Sequence, residues 1–281
     1  MSGSLAARGR TLYVAWPGCP ARWRAFEVSG RALTPWMALE AGAAGRAGCA
    51  GLDVDADHRL WIADPEHALV RCVNLFGAQL AALRAWPSAP RDGLGTLSEP
   101  LGLACAGDGD PLRLWLAQGG VRRAAVQLLD ESGRARARLR SLGDPREPFR
   151  GARRVRAAGR YVWVLEALAR RVQVFRDGEF HFAFQVRERG AVAGLASVAV
   201  FDDGSGVACT AGDAARLLRI GRSGNVRGVL CEDVEAPSDV ALLDGFDPHG
   251  ARIALLDRDG LRVRAFEAAG RCVGAIDELV G

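Results

Sequence analysis

The sequence contains no lysine; all 37 of its basic residues are arginine. Any anion-binding surface on this chain is therefore built from planar, permanently charged, bidentate groups rather than from mobile ammonium ions. Asparagine is almost missing too, with only Asn74 and Asn225. Together with the abundance of Ala, Gly and Arg, this points to a high-GC, bacterial coding bias. Long hydrophobic runs are absent, and no stretch approaches the roughly 18 apolar residues that a membrane helix needs. Residues 1–8 carry no apolar run ahead of Arg8 and Arg10. A secretory signal is thus not expected, and the cytoplasm is the expected compartment. The seven cysteines (Cys19, Cys49, Cys72, Cys105, Cys209, Cys231 and Cys272) are odd in number, and no two stand in a C-x-x-C pair. Cys72, Cys105, Cys209 and Cys272 fall inside apolar patterns, so they are expected as small buried hydrophobes rather than as a disulfide or zinc framework.

What the sequence does have is a repeat. A run of about five apolar or aromatic residues recurs six times, beginning at Leu12, Leu60, Leu114, Val162, Val207 and Ile253. The intervals are 48, 54, 48, 45 and 46 residues. Runs of this length bounded by turn formers read as strands buried on both faces. Each is preceded by a strand rich in small residues, such as 51–55, 102–105 and 194–198. Each is followed by a mixed strand, clearest at 171–175 and 262–266, then a Gly turn and an outer strand, as at 135–139 and 180–184. Four strands at a period near 45 residues predict a six-bladed β-propeller, an all-β fold in which stacked blades bury faces that no single blade can cover. The blades are expected at about 3–36, 48–84, 98–140, 149–185, 192–230 and 237–276, within one domain spanning 1–281. Blade 1 is the least regular, because its inner strand must come from residues 4–8. A short helical turn is expected around 38–44. How the ring closes is left open.

The unit Gly51-Leu52-Asp53-Val54-Asp55, Arg59-Leu60-Trp61-Ile62-Ala63-Asp64, Val70-Arg71-Cys72-Val73 and Gly77 resembles an NHL repeat. Glu99-Pro100-Leu101-Gly102-Leu103 and Arg170-Arg171-Val172-Gln173-Val174-Phe175 match other parts of that pattern. The resemblance spans nearly the whole chain. It is strong in blades 2, 3, 4 and 6, and weak in blade 5, whose 207–211 run lacks both the aromatic and the acid. It implies a propeller whose sites gather at the channel mouth and on the top face, formed by the loops entering the inner strands and those between the second and third strands. It does not fix a function, since the fold hosts unrelated activities.

Sorted by face, few residues suit catalysis. His58 and His249 belong to bottom turns, His181 to an outer strand, and only His67 to a top loop. The zinc-binding histidines of amidating lyases with related propellers thus have no counterpart here. Asp64, Glu166 and Asp257 each end a second strand, and Glu99 and Asp239 stand at inner-strand entrances. Gluconolactonase-like propellers hold a divalent ion with Glu, Asn and Asp near the axis, but neither asparagine falls at a top-face entrance. The repeated acids are expected instead to hold adjacent blades in register. No Gly-x-Ser-x-Gly, Walker or His-Glu-x-x-His motif occurs. No catalytic residue, metal or cofactor is therefore expected.

Charge is the most informative functional feature. Between Arg122 and Arg171 there are 14 arginines and five acids, a net of +9 in a chain of net +4. Arg122, Arg123, Arg146, Arg150, Arg153, Arg154, Arg170 and Arg171 are expected to gather on one sector of the top face. Arg134, Arg136, Arg138 and Arg140 alternate along an outer strand. Three readings follow. The first is a non-enzymatic scaffold within a bacterial multi-protein assembly, holding a protein partner with the top face and the loops 37–48 and 84–98. The second is an RNA or polyanion binder, as some animal NHL propellers are, with Trp86 as a stacking or anchoring candidate. The third is a metal-dependent lactonase or lyase. No membrane partner is expected.

Overall fold

The computed structural model describes residues 3–16, 22–29, 32–40, 49–84, 97, 99–106, 112–119, 124–188, 190–243, 252–257 and 262–276. They form six four-stranded antiparallel sheets arranged in a ring, a six-bladed β-propeller. Blade 1 consists of Ser4–Arg8, Thr11–Trp16, Arg22–Ser29 and Ala32–Glu40. Blade 2 consists of Gly51–Val54, Leu60–Asp64, Leu69–Val73 and Gln79–Arg84, and blade 3 of Pro100–Ala106, Arg113–Gln118, Ala125–Leu129 and Ala135–Arg138. Blade 4 is Ala152–Ala158, Tyr161–Glu166, Arg171–Arg176 and Glu179–Phe184. Blade 5 is Leu195–Val200, Gly206–Thr210, Leu217–Ile220 and Val226–Cys231, and blade 6 is Asp239–Leu242, Ile253–Asp257, Arg262–Phe266 and Cys272–Ile276. In each blade the strands pair in chain order from the axis outward.

The uninterrupted apolar character of the second strands has a simple origin. Successive strand residues point to opposite faces, and both faces of a blade are covered by neighbours. In blade 4, Val162 and Val164 pack toward blade 3 with Trp115 and Phe175, whereas Trp163 and Leu165 pack toward blade 5 with Val198 and Leu218. Leu60 and Ile62 likewise join the core shared with blade 1, while Trp61 and Ala63 join the one shared with blade 3. Blades 5 and 6 meet through Val207, Leu217 and Leu255. The core is therefore a set of wedges between blades rather than one central mass.

The ring closes without an exchanged strand. Blades 1 and 6 each supply all four of their own strands, and their inner strands pack against each other. Leu5, Leu12 and Phe26 of blade 1 share a buried cluster with Ala241, Leu256 and Val263 of blade 6. The Leu5 backbone N–H donates to Asp239 Oδ2 at 2.9 Å across the same seam. Ser4–Arg8, unpromising by propensity, becomes a strand because this tertiary seam selects it.

Two differences from the sequence expectation concern blade 1 and the cysteines. Ala38 and Glu40 lie in the fourth strand of blade 1 rather than in a helical turn, because pairing with Arg22–Ser29 outweighs the helix preference of Ala and Glu. Cys49, Cys72 and Cys209 are buried as free thiols, but Cys272 is exposed on the outermost strand of blade 6 and Cys105 is only half-buried. Crowding at the axis explains the small residues of the inner strands. A Cβ on Gly102 would lie 2.6 Å from the Arg153 carbonyl oxygen and 2.9 Å from Arg154 Cα, and one on Gly51 would lie 2.9 Å from Gly102 Cα.

Candidate functional site

The top of blade 4 is organised by one buried carboxylate. Glu166 ends the second strand and is completely buried. Its Oε1 accepts the Arg150 backbone N–H at 2.5 Å, and its Oε2 accepts Gln173 Nε2 at 2.7 Å together with Arg171 Nε. Gln173 also donates to Ser141 Oγ at 2.8 Å and accepts the Leu142 N–H at 2.7 Å. The Ala167 N–H donates to the Gly151 carbonyl at 2.9 Å. A single acid thus ties the loop entering blade 4 to the loop between its second and third strands.

Comparable devices recur. Asp64 binds His67 Nδ1 at 2.9 Å and Arg71 Nε at 3.0 Å. Asp257 accepts Arg262 Nε at 2.8 Å and also pairs with Arg264. In blade 5, Thr210 takes this place and its Oγ1 accepts the Arg216 N–H at 2.8 Å. These groups fasten strands and loops within a blade, not between adjacent blades as the sequence reading expected. The reason is register: each acid ends its strand beside the third-strand residue that faces it, as Glu166 faces Arg171 and Asp257 faces Arg262.

Mounted on the Glu166 framework, Arg146, Arg150, Arg153 and Arg170 are exposed. Arg170 Nη1 reaches the Val192 carbonyl at 3.4 Å, and among the described residues none of the four guanidinium groups pairs with a carboxylate. Leu168, 74% exposed, lies in the loop 167–170, where its Cγ occupies the space above Gly151, the neighbour of Arg150 in the chain. Arg171 departs from the expected sector, being half-buried and bound to Glu166. Arg122, Arg123 and Trp86 lie outside the described residues, as do the loop 85–96, 41–48 and His249.

Arg154 departs entirely. It is 1% exposed and lies on the propeller axis. Arg154 pairs across the sheet with Leu165 and Ala152 with Glu166, so Arg153 is the extra residue of a β-bulge. The bulge leaves Arg153 outside and aims Arg154 and Arg156 inward. Both converge on Asp239, the first residue of the blade 6 inner strand. Arg156 Nη2 donates to Asp239 at 2.8 and 2.9 Å, and Ser197 Oγ adds a bond at 2.5 Å. Burial alone would raise the Asp239 carboxyl, but Arg156 and Arg154 outweigh it and hold it below the usual carboxylate value. Burial lowers the Arg154 pKa, and Asp239 offsets part of that. Asp53, in the blade 2 inner strand, accepts the Cys105 N–H at 2.8 Å. Burial pushes its pKa up to about 6 despite the nearby Arg156. The Cys49 thiol is pushed up to about 12 by burial, so it stays neutral beside Arg154. The sequence signal for this cluster was present: an arginine, a Val and an arginine at residues 154–156, inside a strand type otherwise built from small residues.

Among the described residues, no three His, Cys, Asp or Glu side chains come together in a way that would hold a metal ion. His58 bonds the Tyr13 hydroxyl at 3.1 Å, and His181 stacks edge-on against Phe182. No described helix is long and apolar enough to cross a membrane.

No protein-family model and no curated protein matches the sequence. Solved structures do match in shape. Virginiamycin B lyase from Staphylococcus aureus superposes with a TM-score of 0.61 at 11% identity, over 100% of this chain and 85% of that one. A streptogramin B lyase gives 0.60 at 12%, over 100% and 83%. Hydrazine synthase from Kuenenia stuttgartiensis gives 0.59 at 15%, over 95% and 76%. At these identities the likeness is one of architecture: the chain shares the propeller fold of these enzymes.

Proposed function

We propose that this propeller is a protein-interaction module that engages an acidic partner through the top of blade 4, as part of a bacterial multi-protein assembly. The observation that carries this reading is the exposure of Arg146, Arg150, Arg153 and Arg170, none paired with a carboxylate among the described residues, together with the 74%-exposed Leu168, whose Cγ lies over Gly151 next to Arg150 in the chain. Interface hot spots favour arginine around a desolvated apolar anchor. The Glu166 network holds the loops in place before binding, which limits the entropy lost on association. An aliphatic centre favours a protein over RNA, because bases stack on aromatic rings. The resemblance in fold to lyases favours the enzyme reading, but in the described axis Arg154 and Arg156 converge on Asp239, and no three His, Cys, Asp or Glu side chains come together there.

The test is affinity purification from the native host at low salt, comparing the wild type with Leu168→Asp and with Arg150→Glu/Arg170→Glu. The expected result is a stoichiometric protein partner retained by the wild type, lost from both variants and released by salt. Retention by the variants contradicts the reading. Retained material that nuclease removes moves the assignment to the polyanion alternative.

A further inference from the structure

The axial cluster holds buried guanidinium donors that its hydrogen bonds leave unused. Asp239 is saturated: Oδ1 accepts Arg156 Nη2, Ser197 Oγ and the Val240 N–H, and Oδ2 accepts Arg156 Nη2 and the Leu5 N–H. Arg154 Nε approaches Oδ1 only to 3.9 Å, beyond hydrogen-bond range. The bonds Arg154 does make go to neutral oxygens, namely Ser4 Oγ and the carbonyls of Ala50 and Ser238. A cation 1% exposed thus keeps a 3.9 Å ion pair with Asp239 but has no hydrogen-bonded carboxylate among the described residues, a costly arrangement in a low-dielectric interior. Among the described residues, three buried polar atoms here have no hydrogen-bond partner: Arg154 Nε, Arg156 Nη1 and Ser238 Oγ. Two are guanidinium donors on residues that both face Asp239, and the third belongs to the residue whose carbonyl Arg154 touches. Neighbouring Cys49 is a thiol and supplies no countercharge, and Asp53, the other acid close to Arg156, makes its hydrogen bonds to the Cys105 and Val54 N–H groups rather than to either guanidinium.

We propose that the propeller axis binds one small monovalent anion, of halide or formate size, held by Arg154 Nε and Arg156 Nη1, the two buried guanidinium donors without a hydrogen-bond partner among the described residues. The donors are charged and their planes fixed, so the bonds are of the strong, charge-assisted type. Arg154 and Arg156 both belong to the inner strand of blade 4, and their other bonds reach residues of blades 1, 2 and 6, so an ion on their unpartnered donors fixes the two side chains that cross the axis. It acts as a structural pin, separate from the blade 4 surface.

The probe is bromide. Unfolding of the full-length protein is followed as bromide replaces gluconate at constant ionic strength. A saturable rise in Tm of about 4 °C or more at a hundredfold excess over Kd is expected. Arg154→Met is expected to weaken the midpoint of that response by about tenfold or more. Crystals of the wild type soaked in bromide provide a readout that does not depend on the variant folding. An anomalous peak in contact with Arg154 Nε and Arg156 Nη1 supports the proposal. A Tm that does not saturate, an equal response in Arg154→Met, or an axis holding only water in the soaked crystal each overturns it.

Discussion

Blade 4 sends two consecutive arginines in opposite directions: Arg153 is exposed on the top face, and Arg154 is buried on the axis. The same contrast runs through the whole cluster. Arg146, Arg150 and Arg170 stand out from loops, while Arg156 sits against Asp239. One arginine-rich segment thus serves two ends. The inner arginines carry charge that the ring must neutralise, and the outer ones carry charge that a partner can use. Stability should therefore respond to the axis and binding to the surface, and substitutions can separate the two.

The largest effect is expected at the shared carboxylate. Asp239→Ala removes the carboxylate on which two buried cations converge, and breaking such a cluster costs about 3–5 kcal/mol. Thermal unfolding should drop by roughly 10 °C. A drop of a degree or two would mean that water reaches the axis freely. Next, Arg156→Met should cost about 3 kcal/mol because it strands Asp239. Arg154→Met in gluconate buffer should stay within about 1 kcal/mol, since it removes a cation that bonds only neutral oxygens. Equal losses in the two variants would erase the distinction drawn between them.

A second contrast lies between blades. Glu166→Gln removes the charge from a buried three-donor network and should cost about 2 kcal/mol, measured by denaturant melts, whereas Thr210→Ala in blade 5 loses one hydrogen bond and should cost about 1 kcal/mol. Asp53 sets a pH dependence. Its folded value of about 6 lies above its ordinary value of 3.8. The folded state therefore binds the extra proton between those values, and this contribution to stability is lost as pH rises from about 4 to 6. Asp53→Asn keeps an oxygen acceptor, so the difference in unfolding free energy between wild type and variant should change across that window and level off above it. A difference that is flat with pH would show Asp53 to be hydrated. The smallest stability effect belongs to the surface: Arg150→Glu/Arg170→Glu should stay within about 0.5 kcal/mol of wild type while losing the partner.

Much of this was legible in the residues. The six apolar runs lie in the six second strands, because a strand covered on both faces must be apolar throughout. The four-strand period followed from turns at regular spacing. The surface position of Arg146, Arg150 and Arg170 followed from reading them as loop residues, whereas Arg153 is exposed as the extra residue of a bulge inside a strand. The side taken by Arg154 was not legible. A one-residue bulge reverses the facing of every later side chain, and nothing in Ala152-Arg153-Arg154-Val155 announces where it falls. The pairing of Arg156 with Asp239 joins residues 83 positions apart, and it depends on which inner strands meet across the axis. The inner strand of blade 1 was readable only by elimination, since its order comes from the seam with blade 6.

The division between inner and outer arginines is tested most directly by reversing charge at the two adjacent positions and measuring thermal unfolding and partner retention side by side. Arg153→Glu should unfold at the wild-type temperature and release the partner, and Arg154→Glu, which sets a second buried acid beside Asp239, should fail to fold or melt far below it. Indistinguishable melting curves for the two variants would contradict the account.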